Sequence, residues 1–233
     1  MKEMATPGLA QDDETRTRLM ELFDTLLKRY GARHWWPADT PLEVCVGAIL
    51  TQNTNWLNVE KAIVNLKREG LLSVDALLDI DQERLAELIR PSGFFNVKSA
   101  RLKVFVGWLL ERYGSLDAMF SVEWRALREE LVAVRGIGPE TCDSILLYAG
   151  EKPSFVVDAY TRRLLSRLGL VREEDDYHQV RALFMDLLPP DVQLFNEYHA
   201  LIVEQCKRHC KKKPACDGCP LSRCCTHRTP AAF

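Results

Sequence analysis

The sequence contains no apolar run approaching the ~18 residues that a membrane-spanning helix needs. Its N-terminal stretch, MKEMATPGLAQDDETRTRLM, is polar and charged with no apolar centre. A span and a secretory leader are both argued against, and a reduced, cytoplasmic setting is expected. Period-two alternation is almost absent, as are low-complexity tracts and detectable repeats, which disfavours sheet and solenoid architectures. Nor is there an excess of charge: 31 basic residues face 33 acidic ones for a net charge of −2, so the whole chain carries no electrostatic signature of a nucleic-acid partner. The histidines, His34, His178, His199, His209 and His227, form no metal-ligand spacing and read as surface or hydrogen-bonded structural residues. His34 is a pocket candidate only through its neighbours Trp35 and Trp36.

What is present is a chain of 233 residues with 47% hydrophobic content, enough to bury a sizeable core in one large domain or two small ones. Of its eight cysteines, Cys45 and Cys142 lie in apolar helical surroundings and read as small core residues. Cys210, Cys216, Cys219 and Cys225 are different: they follow the spacing C-x5-C-x2-C-x5-C among Lys, Pro, Asp and Gly, where a buried apolar thiol has no reason to be. In a reducing compartment ligation explains them better than disulfides. Structural zinc sites commonly pair two short knuckles, whereas here only Cys216 and Cys219 are tightly spaced and the outer loops of five suit a larger object, so a [4Fe-4S] cluster is favoured over zinc. Cys206 and Cys224 stand by as alternative ligands. Seven basic residues and a single acid, Asp217, lie between Cys206 and Arg228, so a local basic patch surrounds the group.

Helical spacing recurs from segment to segment, in Leu19, Leu22, Phe23, Leu26 and Leu27, in Leu85, Leu88 and Ile89, and in Leu102, Phe105, Val106 and Leu109. About ten helices are expected, with Gly31, Gly70, Gly93, Gly114, Gly150 and Gly169 as candidate C-caps. One turn stands apart. In LVAVRGIGPET (131–141), Gly136-Ile137-Gly138 separates an apolar helix from a new one opened by Pro139, a residue welcome in a first turn. Such a turn presents backbone N–H groups that suit a phosphate oxygen, although an ordinary αα-hairpin has the same spacing.

The hairpin VRGIGPETCDSILLYA, the segment FVVDAYTRRLLSRLG and the cysteine loop, in that order, resemble the endonuclease III superfamily of helix-hairpin-helix DNA glycosylases over roughly residues 20–226. The resemblance implies an all-α, two-domain fold. A six-helix barrel over 34–151 would carry the hairpin at about 128–149, and an iron–sulfur domain would form from 1–33 and 152–233, with the damaged base entering the cleft between them. It places Asp158 at the family's catalytic aspartate, although the same residue reads locally as a plain N-cap. It supports Cys210, Cys216, Cys219 and Cys225 as cluster ligands. LTQNT (50–54) matches the stretch whose glutamine fills the space left by a flipped base, so Gln52, with Asn53 beside it, is the expected plug.

Bifunctional members carry a lysine two residues after the second hairpin glycine; here that position is Glu140, which cannot form a Schiff base. A monofunctional enzyme is expected, with Lys98 as the candidate substitute amine. Trp35, Trp36 and Pro37 beside LTQNT resemble the 3-methyladenine glycosylase branch, in which aromatic faces would stack on a cationic alkylated purine. An aromatic cap on the core is the plainer reading of the tryptophans. The expected partner is double-stranded DNA containing damaged bases, bound by a monomer through Gly136, Gly138, Lys211, Lys212 and Lys213, with nucleoid association when bound and no membrane. Rival readings are an endonuclease III-type glycosylase and lyase for oxidised pyrimidines, a mismatch uracil or thymine glycosylase, and a non-catalytic lesion-binding iron–sulfur protein.

Overall fold

A computed structural model describes residues 7–33, 35 and 38–227. Among them are twelve α-helices and no strand, two helices more than the sequence pattern suggested. The chain forms two compact units, one spanning Met1–Trp35 with Pro153–Phe233 and the other Trp36–Lys152.

The inserted unit holds α2 (Pro41–Leu50), α3 (Trp56–Arg68), α4 (Val74–Asp79), α5 (Gln82–Leu88), a 3₁₀ turn (Arg90–Ser92), α6 (Phe95–Tyr113), α7 (Leu116–Ser121), α8 (Trp124–Ala133) and α9 (Pro139–Ser144), the last running into a π-helical turn (Ile145–Ala149). Its axis is α2. Thr40 caps that helix and Pro41 opens it, and every residue from Leu42 to Leu50 is buried, as expected of a helix apolar on all faces. Around it pack α3, α6, α9 and the π turn, and Cys45 and Cys142 are both core residues there.

The other unit holds α1 (Pro7–Tyr30), α10 (Ala159–Arg167), α11 (Tyr177–Leu187) and α12 (Val192–Arg208), with α1 and α10 against α12 and α1 against α11. Leu19, Leu22 and Leu26 supply the buried stripe of α1. Phe155 stacks on Phe184 with ring centroids 3.6 Å apart, and Tyr198 packs edge-on to both while donating its hydroxyl to the Leu19 carbonyl. Here the segment that ends in Asp158 is anchored in the core.

Five of the six candidate C-cap glycines, Gly31, Gly70, Gly93, Gly114 and Gly169, have φ between +64° and +76°. Gly150 departs from that expectation, with φ −94°. It is needed for space instead, since a Cβ there would lie 2.7 Å from the Phe120 ring.

Candidate active site

In the inserted unit the hairpin is built as its glycines suggest, but the two have different work. Gly136 takes φ +94° and lies against the Arg101 side chain, whose Cγ would be 2.5 Å from an added Cβ. Gly138 is extended (φ −86°, ψ 173°), caps α9 without a side-chain bond, and has nothing within 4 Å of its missing Cβ. Its surface is open and its backbone presentable. Ile137 between them is buried, and Arg128 on α8 grips Asp143 on α9 through two bonds of 2.7 and 2.9 Å, with the Asp143 side chain wholly buried. Glu140 lies exposed in the first turn of α9.

Gln52 touches that hairpin directly. Its amide nitrogen donates to the Gly136 carbonyl at 3.1 Å and the Thr141 hydroxyl at 2.9 Å, while its oxygen accepts from Arg101. Asn53 beside it is exposed and takes φ +56°, a conformation that asparagine tolerates better than most residues. Lys98 is buried, and its ammonium donates to the carbonyls of Leu50 at 2.8 Å and Ser92 at 2.6 Å, stapling the Gln52 turn to the Ser92 turn. Burial, and then Arg101, lower its pKa to about 8. Just past Ser92 stands Phe94, 68% exposed and at φ +45°. A bulky aromatic residue in the left-handed region and in solvent is strained, and no spacing or motif announces it.

In the other unit Asp158 caps α10. Its Oδ1 accepts from the Thr161 N–H at 2.7 Å and the Thr161 hydroxyl at 2.9 Å; its Oδ2 faces the His199 Nε2 on α12 at 3.5 Å. Burial pushes this carboxyl up, yet its pKa lies below the ordinary value because the His199 ring and then the Thr161 N–H and hydroxyl favour the charged form. His199, read from sequence as a surface or structural residue, is thus placed against the carboxylate.

Trp35 has the Lys207 ammonium 5.3 Å from its ring centroid. Trp36 and His34, the other aromatic candidates, lie outside the described residues. Glu197 and Glu204 on α12 hold Arg33, and so fix the chain just ahead of Trp35.

Cys210, Cys216, Cys219 and Cys225 line one cavity, with about 340 Å³ of empty space including open solvent, shared with Leu164, Leu168 and Leu221 among others. Among the described residues no three His, Cys, Asp or Glu side chains converge as for a single metal ion. Two sulfurs receive N–H donors: Gln205 Nε2 reaches Cys219 at 3.2 Å and Arg167 reaches Cys210 at 3.2 Å. The Cys206 thiol and the Arg167 guanidinium bring Cys210 down to about 6 against the opposing effect of burial. Cys206, besides meeting Cys210, also approaches the Tyr160 carbonyl and Cys224 that of Leu221, and neither lines the cavity. Arg167 also donates to the carbonyls of Lys211 and Lys212, so the exposed lysines 211–213 sit on a braced loop.

A helical protein with a Gly-Ile-Gly-Pro hairpin, a half-buried aspartate at a helix N-terminus and a four-thiol cavity is the class defined by this geometry. Residues 46–190 match the model of the HhH-GPD superfamily base excision DNA repair protein, and the chain belongs to that family. It is a DNA repair glycosylase. A provisionally named DNA repair glycosylase of Methanocaldococcus jannaschii is 49% identical over 209 residues, spanning 89% of this chain and 95% of that one. An endonuclease III of Thermotoga maritima is 30% identical over 208 residues, 88% and 91% of the two chains. Among solved structures, the H. pylori 3-methyladenine DNA glycosylase MagIII bound to 1,N6-ethenoadenine superposes with a TM-score of 0.72 at 32% identity, covering 83% of this chain and 97% of the other.

Proposed function

We propose that this glycosylase is monofunctional, hydrolyses the N-glycosidic bond of alkylated purines in duplex DNA, and does so with Asp158. The supporting observation is the carboxylate itself, kept charged in a mostly buried setting. As the C1′–N bond lengthens, the electron pair leaves with the base and the sugar becomes oxocarbenium-like. A fixed anion beside it stabilises that charge and orients the water whose oxygen bonds to C1′. An N-alkylated purine is cationic and departs easily, so little acid assistance is needed at the base. The Trp35 face, which already draws the Lys207 ammonium, has the chemistry to stack on such a base. MagIII, at 32% identity, is a 3-methyladenine glycosylase by name.

The lyase step requires an amine at the sugar. Glu140 cannot supply one, and Lys98, the candidate substitute, has its ammonium committed to two carbonyls in the interior. Engagement of DNA is assigned to the Gly136–Gly138 backbone and Lys211, Lys212 and Lys213, with Gln52 and Asn53 at the vacated base position. The exposed Phe94 belongs with them, because the Lys98 staple holds its turn to that of Gln52; an apolar ring there can wedge into a base step.

The four thiols fit a [4Fe-4S] cluster. They line one cavity, two accept N–H donors, and neither Cys206 nor Cys224 lines it. When bound, the cluster supplies loop architecture, since hydrolysis moves no electrons. Purified protein should be brown, with the colour lost in Cys219→Ser and kept in Cys224→Ser.

The deciding assay offers duplexes containing 3-methyladenine, 1,N6-ethenoadenine, thymine glycol, or uracil opposite guanine, with released base and strand breaks scored separately. Release of an alkylated or etheno purine without breaks, and without borohydride trapping, is expected. Cleavage confined to thymine glycol DNA with trapping overturns the reading in favour of an endonuclease III activity; release of uracil alone overturns the purine assignment.

A further inference from the structure

We infer that His199 is a positioning residue for the Asp158 carboxylate, holding Oδ2 toward the reacting sugar while Oδ1 is occupied by the helix cap. This rests on the reading of Asp158 as the carboxylate that serves hydrolysis.

A carboxylate has two oxygens, and this one divides them. Oδ1 accepts the Thr161 N–H and hydroxyl and is thereby saturated. Only Oδ2 remains to meet the developing positive charge or the water. An N-cap alone leaves the carboxyl free to tilt about its terminal torsion, which is broad for aspartate. A second anchor on a different element removes that freedom. The His199 ring meets the need: its Nε2 stands 3.5 Å from Oδ2, its side chain is 8% exposed, and it comes from the middle of α12.

The support behind the ring is rigid. Tyr198 before it packs in the aromatic core and bonds the Leu19 carbonyl. Farther along α12, the Cys206 thiol approaches the Tyr160 carbonyl in the first turn of α10, where the two helices pack beside Asp158. A histidine serving packing alone could face any apolar wall there, and this one faces the one carboxylate oxygen that the cap does not use. The ring also opposes the cost of burying the anion, which an aliphatic residue would leave uncompensated. The arrangement places a ring nitrogen behind the working oxygen, much as catalytic carboxylates and bases are generally held by a neighbouring group.

The test uses His199→Phe and His199→Gln in the full chain, beside Asp158→Asn. Of the damaged duplexes named above, the one wild-type enzyme opens fastest is the substrate, and the same duplex with a tetrahydrofuran abasic site is the binding probe. Single-turnover base release at saturating enzyme reports the chemistry. His199→Phe should lose roughly 100-fold in that rate and His199→Gln roughly 10-fold, since the amide N–H restores part of the contact. Both should bind the abasic duplex within about threefold of wild type.

If either folded variant reacts at the wild-type rate while Asp158→Asn is dead, His199 has no positioning role. Equal losses of rate and affinity, with no advantage of Gln over Phe, would make the residue merely structural and overturn the proposal. Should Phe fail to fold, the Gln variant alone decides by the same two readings. Retained activity in Asp158→Asn is a separate outcome: it removes the carboxylate reading itself, and His199 with it.

Discussion

In the proposed mechanism Asp158 combines two roles that ordinarily exclude one another, because a side chain spent on capping a helix has little left for a substrate. The division between its oxygens makes separable predictions. Asparagine keeps an Oδ1 acceptor but lacks the charge that His199 and Thr161 favour, so Asp158→Asn should still fold, with a modest loss of stability, while losing base release by at least about 100-fold. Alanine removes the cap as well and should lose about 1 kcal/mol of stability in urea titrations. Of this site, the aspartate was legible as a helix cap, since it follows an apolar run and opens a helix, while its catalytic assignment came from the resemblance alone. His199 was not, being brought to it from a distant helix. A lone histidine on α12 carries no local signal of what it faces.

Lys98 is the other residue whose chemistry depends on the fold. Its folded pKa, about 8, lies below the ordinary lysine value, so the unfolded chain binds the proton more tightly. Stability contributed through this group should therefore rise as pH climbs from about 8 toward the ordinary lysine value. Urea midpoints of wild type minus those of Lys98→Met, followed across that window, should show the rise. A flat difference would mean that the ammonium is not held out of water as described.

Among the elements, the hairpin gives the sharpest contrast between two residues of one type. Gly136→Ala forces a side chain into a positive φ and against Arg101, and should cost about 1–2 kcal/mol and lower the melting temperature. Gly138→Ala meets open space at an ordinary φ and should leave stability within about 0.5 kcal/mol, yet weaken DNA affinity by obstructing the presented backbone. Breaking the Arg128 pair is a harsher injury. Asp143→Asn leaves a guanidinium without its buried counter-charge and should cost about 3 kcal/mol, measurable by thermal unfolding. The Gly-Ile-Gly-Pro signature made the turn readable from the chain. What it concealed was the underside, where Arg101 supports Gly136 and Gln52 ties in from beyond another helix, because contacts between separate elements leave no spacing to recognise. Phe94 carries no local signal for a related reason: its exposure and positive φ arise from the fold around it.

On the scale of the whole molecule, near-neutral charge hid a polarised distribution. With Lys211, Lys212 and Lys213 braced by Arg167, replacing all three by alanine should flatten the dependence of log affinity on log salt, by ~0.9 for each DNA phosphate that the loop ceases to neutralise. An unchanged slope would take the lysine loop out of the DNA interface. The all-helical class and the cysteine loop were legible because apolar periodicity and ligand spacing are properties of contiguous sequence. The choice of Cys225 over Cys224 rested on equal loop lengths and on resemblance; in the fold Cys225 lines the cavity and Cys224 does not.

The way the two units are threaded bears on how the protein is made. Met1–Trp35 and Pro153–Phe233 belong to one unit, with Trp36–Lys152 inserted between them. During synthesis α1 emerges first but finds neither α11 nor α12 to pack against, while the inserted unit has its whole core in hand before α12 leaves the ribosome. At ~5–20 residues per second α1 waits roughly ten seconds to half a minute with Leu19, Leu22 and Leu26 uncovered. Maturation thus runs from the inside of the chain outward. The nascent protein ends that interval as a finished inserted unit beside an amphipathic helix whose apolar stripe is uncovered, a state open to chaperones and to aggregation.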